Sequence, residues 1–154
     1  MRKIFEEIGC ASCHITKMPL RSAVFSTKAT RGAPGLRYDF AERWGLEFSA
    51  EDNAYIVHLF SDLKRHDLGE DNSSLHHDRG VPPKTFMTRR LWDLANSAPY
   101  MHDGRASWIS HAIAEHGGEA ERARQAYINL PEEKKAELRV FLMSLQKKAS
   151  VVVR

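Results

Sequence analysis

Two cysteines and a histidine stand together near the start of the chain, in the stretch EEIGCASCHITKMP from Glu6 to Pro19, and Cys10 and Cys13 are its only cysteines. Three chemistries use a Cys-x-x-Cys spacing, and each demands a different fold around it. A structural zinc site needs four ligands, normally from a second Cys or His pair at similar spacing. Here no other cysteine exists, and His76 and His77 are adjacent rather than spaced for chelation. A dithiol redox motif lies between a strand and a helix of a βαβ unit. In this chain a helix-like segment precedes the motif and a Lys-Met-Pro loop follows it. The third chemistry is covalent haem attachment, whose signature is Cys-x-x-Cys-His. Two thiols add across the two vinyl groups, and the next residue, His14, falls beneath the iron as its proximal ligand.

The flanking pattern agrees with the third reading. RKIFEEIG reads as a short helix with Ile4, Phe5 and Ile8 on one face, and Gly9 is placed to end it. LPEEKKAELRVFLMSLQKK reads as a helix with Pro131 at its first position, acids behind it, and a stripe of Leu138, Phe141, Leu142 and Leu145. An apolar helix before the motif and another at the end of the chain is how a cytochrome c builds its core. Between them, SAVFST reads as a short strand and TRGAPG as a turn. SAEDNAYIVHLFSDL carries both a helix start at Ser49 and a β-rich YIVHLF. HDLGEDNSSLHHDRGVPPK reads as a long polar loop. ASWISHAIAEH is the clearest amphipathic helix of the middle, and EHGGEAERARQAYINL breaks at two glycines before resuming as helix. The expected fold is therefore mainly α: a cytochrome c-like haem domain over 1–146, with long loops and room for one small β-hairpin, and a frayed tail over 147–154.

Bulk properties exclude some classes. The 154 residues suffice for one modest core. Basic and acidic residues, 23 and 20, are interspersed, and no basic stripe with interleaved aromatics marks a nucleic-acid surface. No apolar run of about 18 residues is long enough for a membrane span. The start MRKIFEEIGCASCH is basic but lacks the apolar stretch of an export signal.

A haem iron accepts a second protein ligand, and its identity decides the chemistry. The candidates are His58, His66, His76, His77, His102, His111 and His116, with five methionines. On a helical wheel with Ile109 at zero, Ile113 falls at about 40°, His116 at about 340° and His111 at about 200°. His116 thus shares the apolar face, while His111 points to solvent.

EIGCASCH, SDLKRHDLGE, FMTRRLWDLANSAPYMHDGRASWISHAIAEHGGEA and FLMSL together resemble the C-terminal haem domain of bacterial di-haem oxidoreductases, relatives of di-haem cytochrome c peroxidase and MauG-like proteins. The resemblance runs from about Ile4 to Leu145 and is most specific from Leu91 to Ala120. It implies a cytochrome c fold and a periplasmic location. Laid out from His102-Asp103-Gly104, the family's distal ligand position falls on His116, where family members commonly carry Met or Tyr. The expected site is one covalent haem c on Cys10 and Cys13, with iron between His14 and His116. His102 is the substitute distal ligand, and Arg105 is a candidate partner for a haem propionate. Family members carry a second Cys-x-x-Cys-His in an N-terminal domain. This chain has one and no export signal, which reads as the C-terminal portion of a longer protein.

The expected function is electron transfer within a peroxidase-like oxidoreductase, with a second haem domain or a redox protein as partner. The alternatives are a peroxide-reactive haem with an open coordination site, and a non-haem domain whose Cys pair forms a disulfide or binds a metal. Among other residues, His66 is expected in a buried structural role. His76 and His77 are expected at the surface, and His58 in the core or at an interface. Trp92, Trp108, Tyr100 and Phe86 are expected to pack, and Gly117 and Gly118 to let the backbone approach the porphyrin.

Overall fold

The computed structural model describes residues 2–76 and 78–145; His77 and the predicted tail 147–154 fall outside the described residues. Helices occupy both ends, as their apolar stripes require. Helix α1 (Arg2–Glu7) buries Ile4 and Phe5, and α5 (Glu132–Met143) buries Leu138 and Leu142. Pro131 caps α5 from an extended conformation rather than opening its first turn. The two helices pack together through aromatic edges. Phe5 meets Phe141 at 5.6 Å between centroids, and Phe60 stands 6.0 Å from each of them. Such tilted pairs are favourable beyond the area they bury. Leu91, Ile109 and Tyr127 complete this core. Helix α3 (Ile109–Ala114) supplies Ile109, and α4 (Glu121–Ile128) supplies Tyr127.

The expectation of a mainly α, cytochrome c-like fold is wrong for this chain. Among the described residues helix accounts for 34% and strand for 18%, and the strands form three small antiparallel sheets. Strands β1 (Met18–Leu20), β4 (Glu47–Ser49) and β5 (Ala54–Val57) make one sheet with β5 in the middle. Strands β2 (Val24–Ser26) and β3 (Arg37–Asp39) make a second, with Phe25 opposite Tyr38. Strands β6 (Arg65–Asp67) and β7 (Thr85–Met87) make the third, with His66 opposite Phe86.

Local chemistry explains the correction. Ser49 does not start a helix. Its hydroxyl accepts from the Asp52 amide at 3.2 Å and donates to the Asp52 carboxylate at 2.8 Å, which closes a turn. Asn53 then takes a left-handed φ of 47°, and the β-favouring Ala-Tyr-Ile-Val that follows pairs on both sides as β5. A short α2 (Phe40–Trp44) does form between the sheets. There Asp39 accepts from the Ala41 and Glu42 amides, and Gly45 ends the helix at φ 62°. Among the described residues, no helix is long and apolar enough to cross a membrane.

Candidate functional site

The Cys-x-x-Cys-His stretch is a tight turn built by Gly9. At φ 94° this glycine leaves α1 in a left-handed conformation that a side chain would oppose. One 3₁₀ turn, Cys10–Ser12, follows, and the His14 amide donates to the Cys10 carbonyl at 3.0 Å. The turn is tied outward as well: the Asp62 amide donates to the Cys13 carbonyl at 2.9 Å. Both cysteines are free thiols. Burial pushes the Cys10 thiol up to about 11 and raises Cys13 too. These thiols are therefore protonated at neutral pH rather than poised as thiolates.

His14 is oriented by its own hydrogen bond. Its Nδ1 lies 2.9 Å from the Phe60 carbonyl, and its ring tilts against Phe5 at 6.4 Å. A carbonyl can only accept, so Nδ1 carries the proton and Nε2 keeps its lone pair. Burial lowers the basicity of His14. The Phe60 and Arg89 carbonyls and the Asp62 charge pull the other way, while nearby His116 reinforces the lowering. His116 lies close enough to His14 for that effect. Its own Nδ1 is 2.6 Å from the Ala112 carbonyl, which again leaves Nε2 available. Two imidazoles, each held at Nδ1 by a backbone carbonyl, have the orientation that ligating histidines use. The donor set thus fits a haem: two thiols and an imidazole on one turn, and a second imidazole nearby. A bare-ion site of the zinc type would need more ligands. Among the described residues, no group of three or more His, Cys, Asp or Glu is placed to hold one.

The other candidates are placed differently. His102 is exposed and stacks on Phe86 at 4.6 Å. Arg105 is spent within the protein. Its Nε donates to Asp103 at 2.7 Å, and its Nη1 donates to the Asp71 carbonyl at 2.7 Å and reaches Glu115 at 3.4 Å. The structural role of Asp103 in that turn is thereby accounted for. His111 points to solvent and pairs with Glu115 at 3.2 Å. His76 is exposed. His58 is not core: it is exposed, with Nδ1 2.8 Å from the Thr16 carbonyl. Trp92 packs and donates to the His58 carbonyl at 2.6 Å, whereas Trp108 is 73% exposed. Gly117 and Gly118 do permit a close approach, but to protein backbone. A Cβ on Gly117 would stand 2.8 Å from the Leu68 carbonyl, and one on Gly118 would strike the Asp67 carbonyl.

Sequence reasoning missed four residues that shape this region. Phe60 orients His14, and Asp62 ties the Cys13 turn. Glu119 accepts from the Asp67 amide at 2.9 Å. Asn72, 1% exposed, donates to the Leu68 and Glu115 carbonyls at 2.9 and 2.8 Å, directly before His116. Only the i, i+4 spacing of Asp62 and His66 was visible in the sequence. The rest joins segments far apart in the chain.

No curated protein and no solved structure shows significant similarity to the chain. One family model does, under the description "Di-haem oxidoreductase, putative peroxidase", and it matches residues 1–145. With the Cys-x-x-Cys-His turn inside that span, the chain belongs to the di-haem oxidoreductase family.

Proposed function

We propose that this chain carries one covalent c-type haem and serves as an electron-transfer domain of a periplasmic di-haem oxidoreductase. Cys10 and Cys13 would hold the cofactor through thioethers, and His14 and His116 would be its two protein ligands. When bound, the haem supplies a one-electron Fe(III)/Fe(II) couple whose potential follows its axial ligands. The chain's own residues do the rest. The Phe60 and Ala112 carbonyls orient the two imidazoles through their Nδ1 atoms. Phe5, Phe60 and Phe141 form an apolar wall beside His14. Held by both His14 and His116, the haem would have no site left for peroxide, so the chain would relay electrons rather than bind it. A second haem domain or a redox protein is the partner such a relay requires.

The observation that carries this reading is the Cys10–His14 turn behind Gly9, with His14 oriented at Nδ1 by the Phe60 carbonyl. The test is a visible spectrum, with and without reductant, on protein exported and matured in bacteria, together with its mass. A low-spin c-type spectrum and a gain of one haem are expected, and His116→Ala should convert the ferric form to high spin. Colourless matured protein defeats the reading. A high-spin wild type would favour the peroxide-reactive alternative.

A further inference from the structure

His66 lies with both ring nitrogens against carboxylates. Its Nε2 is 2.8 Å from Asp62 Oδ2, and its Nδ1 is 2.8 Å from Glu119 Oε2. Ionised carboxylates only accept, and a neutral imidazole has a single N–H, so both contacts hold together only when the ring is an imidazolium. The two carboxylates belong to opposite sides of the haem site just described. Asp62 moves with the Cys13–His14 turn, because its amide donates to the Cys13 carbonyl at 2.9 Å. Glu119 follows His116 closely in the chain, and its other oxygen accepts from the Asp67 amide at 2.9 Å. Cys13 lies within electrostatic reach of both Asp62 and Glu119.

We propose that His66 is a positioning residue: a doubly bonded imidazolium strut that fixes the His116 segment relative to the Cys13–His14 turn and lets that segment go when it loses a proton. This rests on the haem reading above. The asymmetry of the two links decides which one breaks. The Asp62 side chain is 8% exposed and that of Glu119 is 55% exposed. An unpaired buried carboxylate costs more than a solvated one. The one remaining N–H therefore stays with Asp62, and the link to Glu119, on the His116 side, is lost. The geometry closes the strut on a doubly protonated ring, and because Glu119 first and then Asp62 raise the affinity of His66 for its proton, with burial opposing them, it opens only as pH rises past the ordinary imidazole range. The other charged groups around the ring are engaged elsewhere. Asp67 accepts from the Gly69 amide and pairs with Lys84, and Arg65 pairs with Asp78. Across the strand pair stands uncharged Phe86.

The experiment is carbon monoxide binding to the reduced, haem-loaded full chain as a function of pH. Carbon monoxide itself does not titrate, and it must wait for His116 to leave the iron. In the wild type the rate should be slow at neutral pH and rise on the order of tenfold on the alkaline side, the equivalent of one charge-assisted hydrogen bond. His66→Gln should bind about tenfold faster at neutral pH and show no pH step. Glu119→Gln, a milder change, should move the step to lower pH. Ring-nitrogen NMR provides a second readout: His66 should keep both N–H protons above the ordinary imidazole range. A wild-type rate that is flat with pH and matched by both variants, all three proteins being low-spin, overturns the proposal. So does a singly protonated His66 at neutral pH. Failure of the haem reading looks different, as colourless protein or an unchanged spectrum in His116→Ala, and either removes the positioning role with it.

Discussion

Asn72 is the sharpest test of how the segment before His116 is held. Its side chain is 1% exposed, and its amide nitrogen donates to two carbonyls, Leu68 at 2.9 Å and Glu115 at 2.8 Å. The second of these belongs to the residue preceding His116. Asn72→Ala removes both donors and leaves two buried acceptors without them. Each such acceptor costs about 1–3 kcal/mol. Some of this is returned, because the amide oxygen has no hydrogen-bond partner and its removal relieves a buried polar atom. The net expectation is a loss of about 2–3 kcal/mol. Asn72→Asp sharpens the test. It has the same shape but loses both donors, and it adds a buried charge to a cavity whose lining holds three acids, Asp71, Glu115 and Glu121, against one cation, Arg124, which already pairs with Glu121. It should be worse than alanine at neutral pH and recover partly on acidification, as the new carboxyl regains a proton. Urea unfolding of samples matched in haem content measures both variants, read as a shift in midpoint at constant slope. If alanine costs less than about 0.5 kcal/mol, or if aspartate is milder than alanine, the amide does not anchor this segment and the reasoning fails.

Three further outcomes follow from the same geometry. Gly118→Ala should cost at least ~2 kcal/mol, because φ is 54° and the new methyl meets the Asp67 carbonyl. Gly32→Ala, at φ 93° with nothing within 4 Å, should cost only ~1 kcal/mol, and thermal melts of the pair compare them. Leu138→Ala empties a fully buried position between the terminal helices and should cost about 3 kcal/mol by urea unfolding. For Asp62, burial pushes the carboxyl up, but the Lys64 amide, the His66 ring and the Thr88 side chain outweigh it and hold it at about 2. A depressed folded value means its stabilisation is present above about pH 4 and is lost as pH falls towards about 2. Asp62→Asn should flatten that acid limb of the stability–pH curve, and an unchanged limb would refute the assignment.

What was legible in the sequence was whatever local pattern alone decides. The terminal helices announced themselves through apolar stripes that had to find each other, and Phe5 and Phe141 do meet. The wheel turned His111 to solvent, where it lies, but α3 stops at Ala114, so His116 falls beyond the helix and is held there by a bond to Ala112. The sheets were not legible. Six of the seven strands span three residues, too short for a period of two to register. In YIVHLF the contest between helix and strand was settled by the Ser49–Asp52 turn and the pairing of β5 on both edges. A segment that carries both signals goes to whichever neighbours can satisfy its backbone.

The two glycines after His116 show why the site itself was only half readable. Local sequence says that Gly117-Gly118 permits a close approach, but not to what. Here the partner is the Asp67–Gly69 backbone, and Gly69 reciprocates at φ 86° with Gly118 nitrogen 3.1 Å from where its Cβ would lie. That contact places Glu119 beside His66, and His66 beside the Asp62 that grips the Cys13 turn. The proximal motif is encoded in five consecutive residues because its chemistry is covalent and local. The proposed distal ligand depends instead on a chain of backbone contact, imidazole and buried carboxylate contributed by two separated segments, 62–69 and 117–119. It follows that substitutions at Gly118 or Glu119 should disturb His116 while leaving Cys10, Cys13 and His14 in place. Variants there should therefore retain covalent haem and lose only the low-spin spectrum.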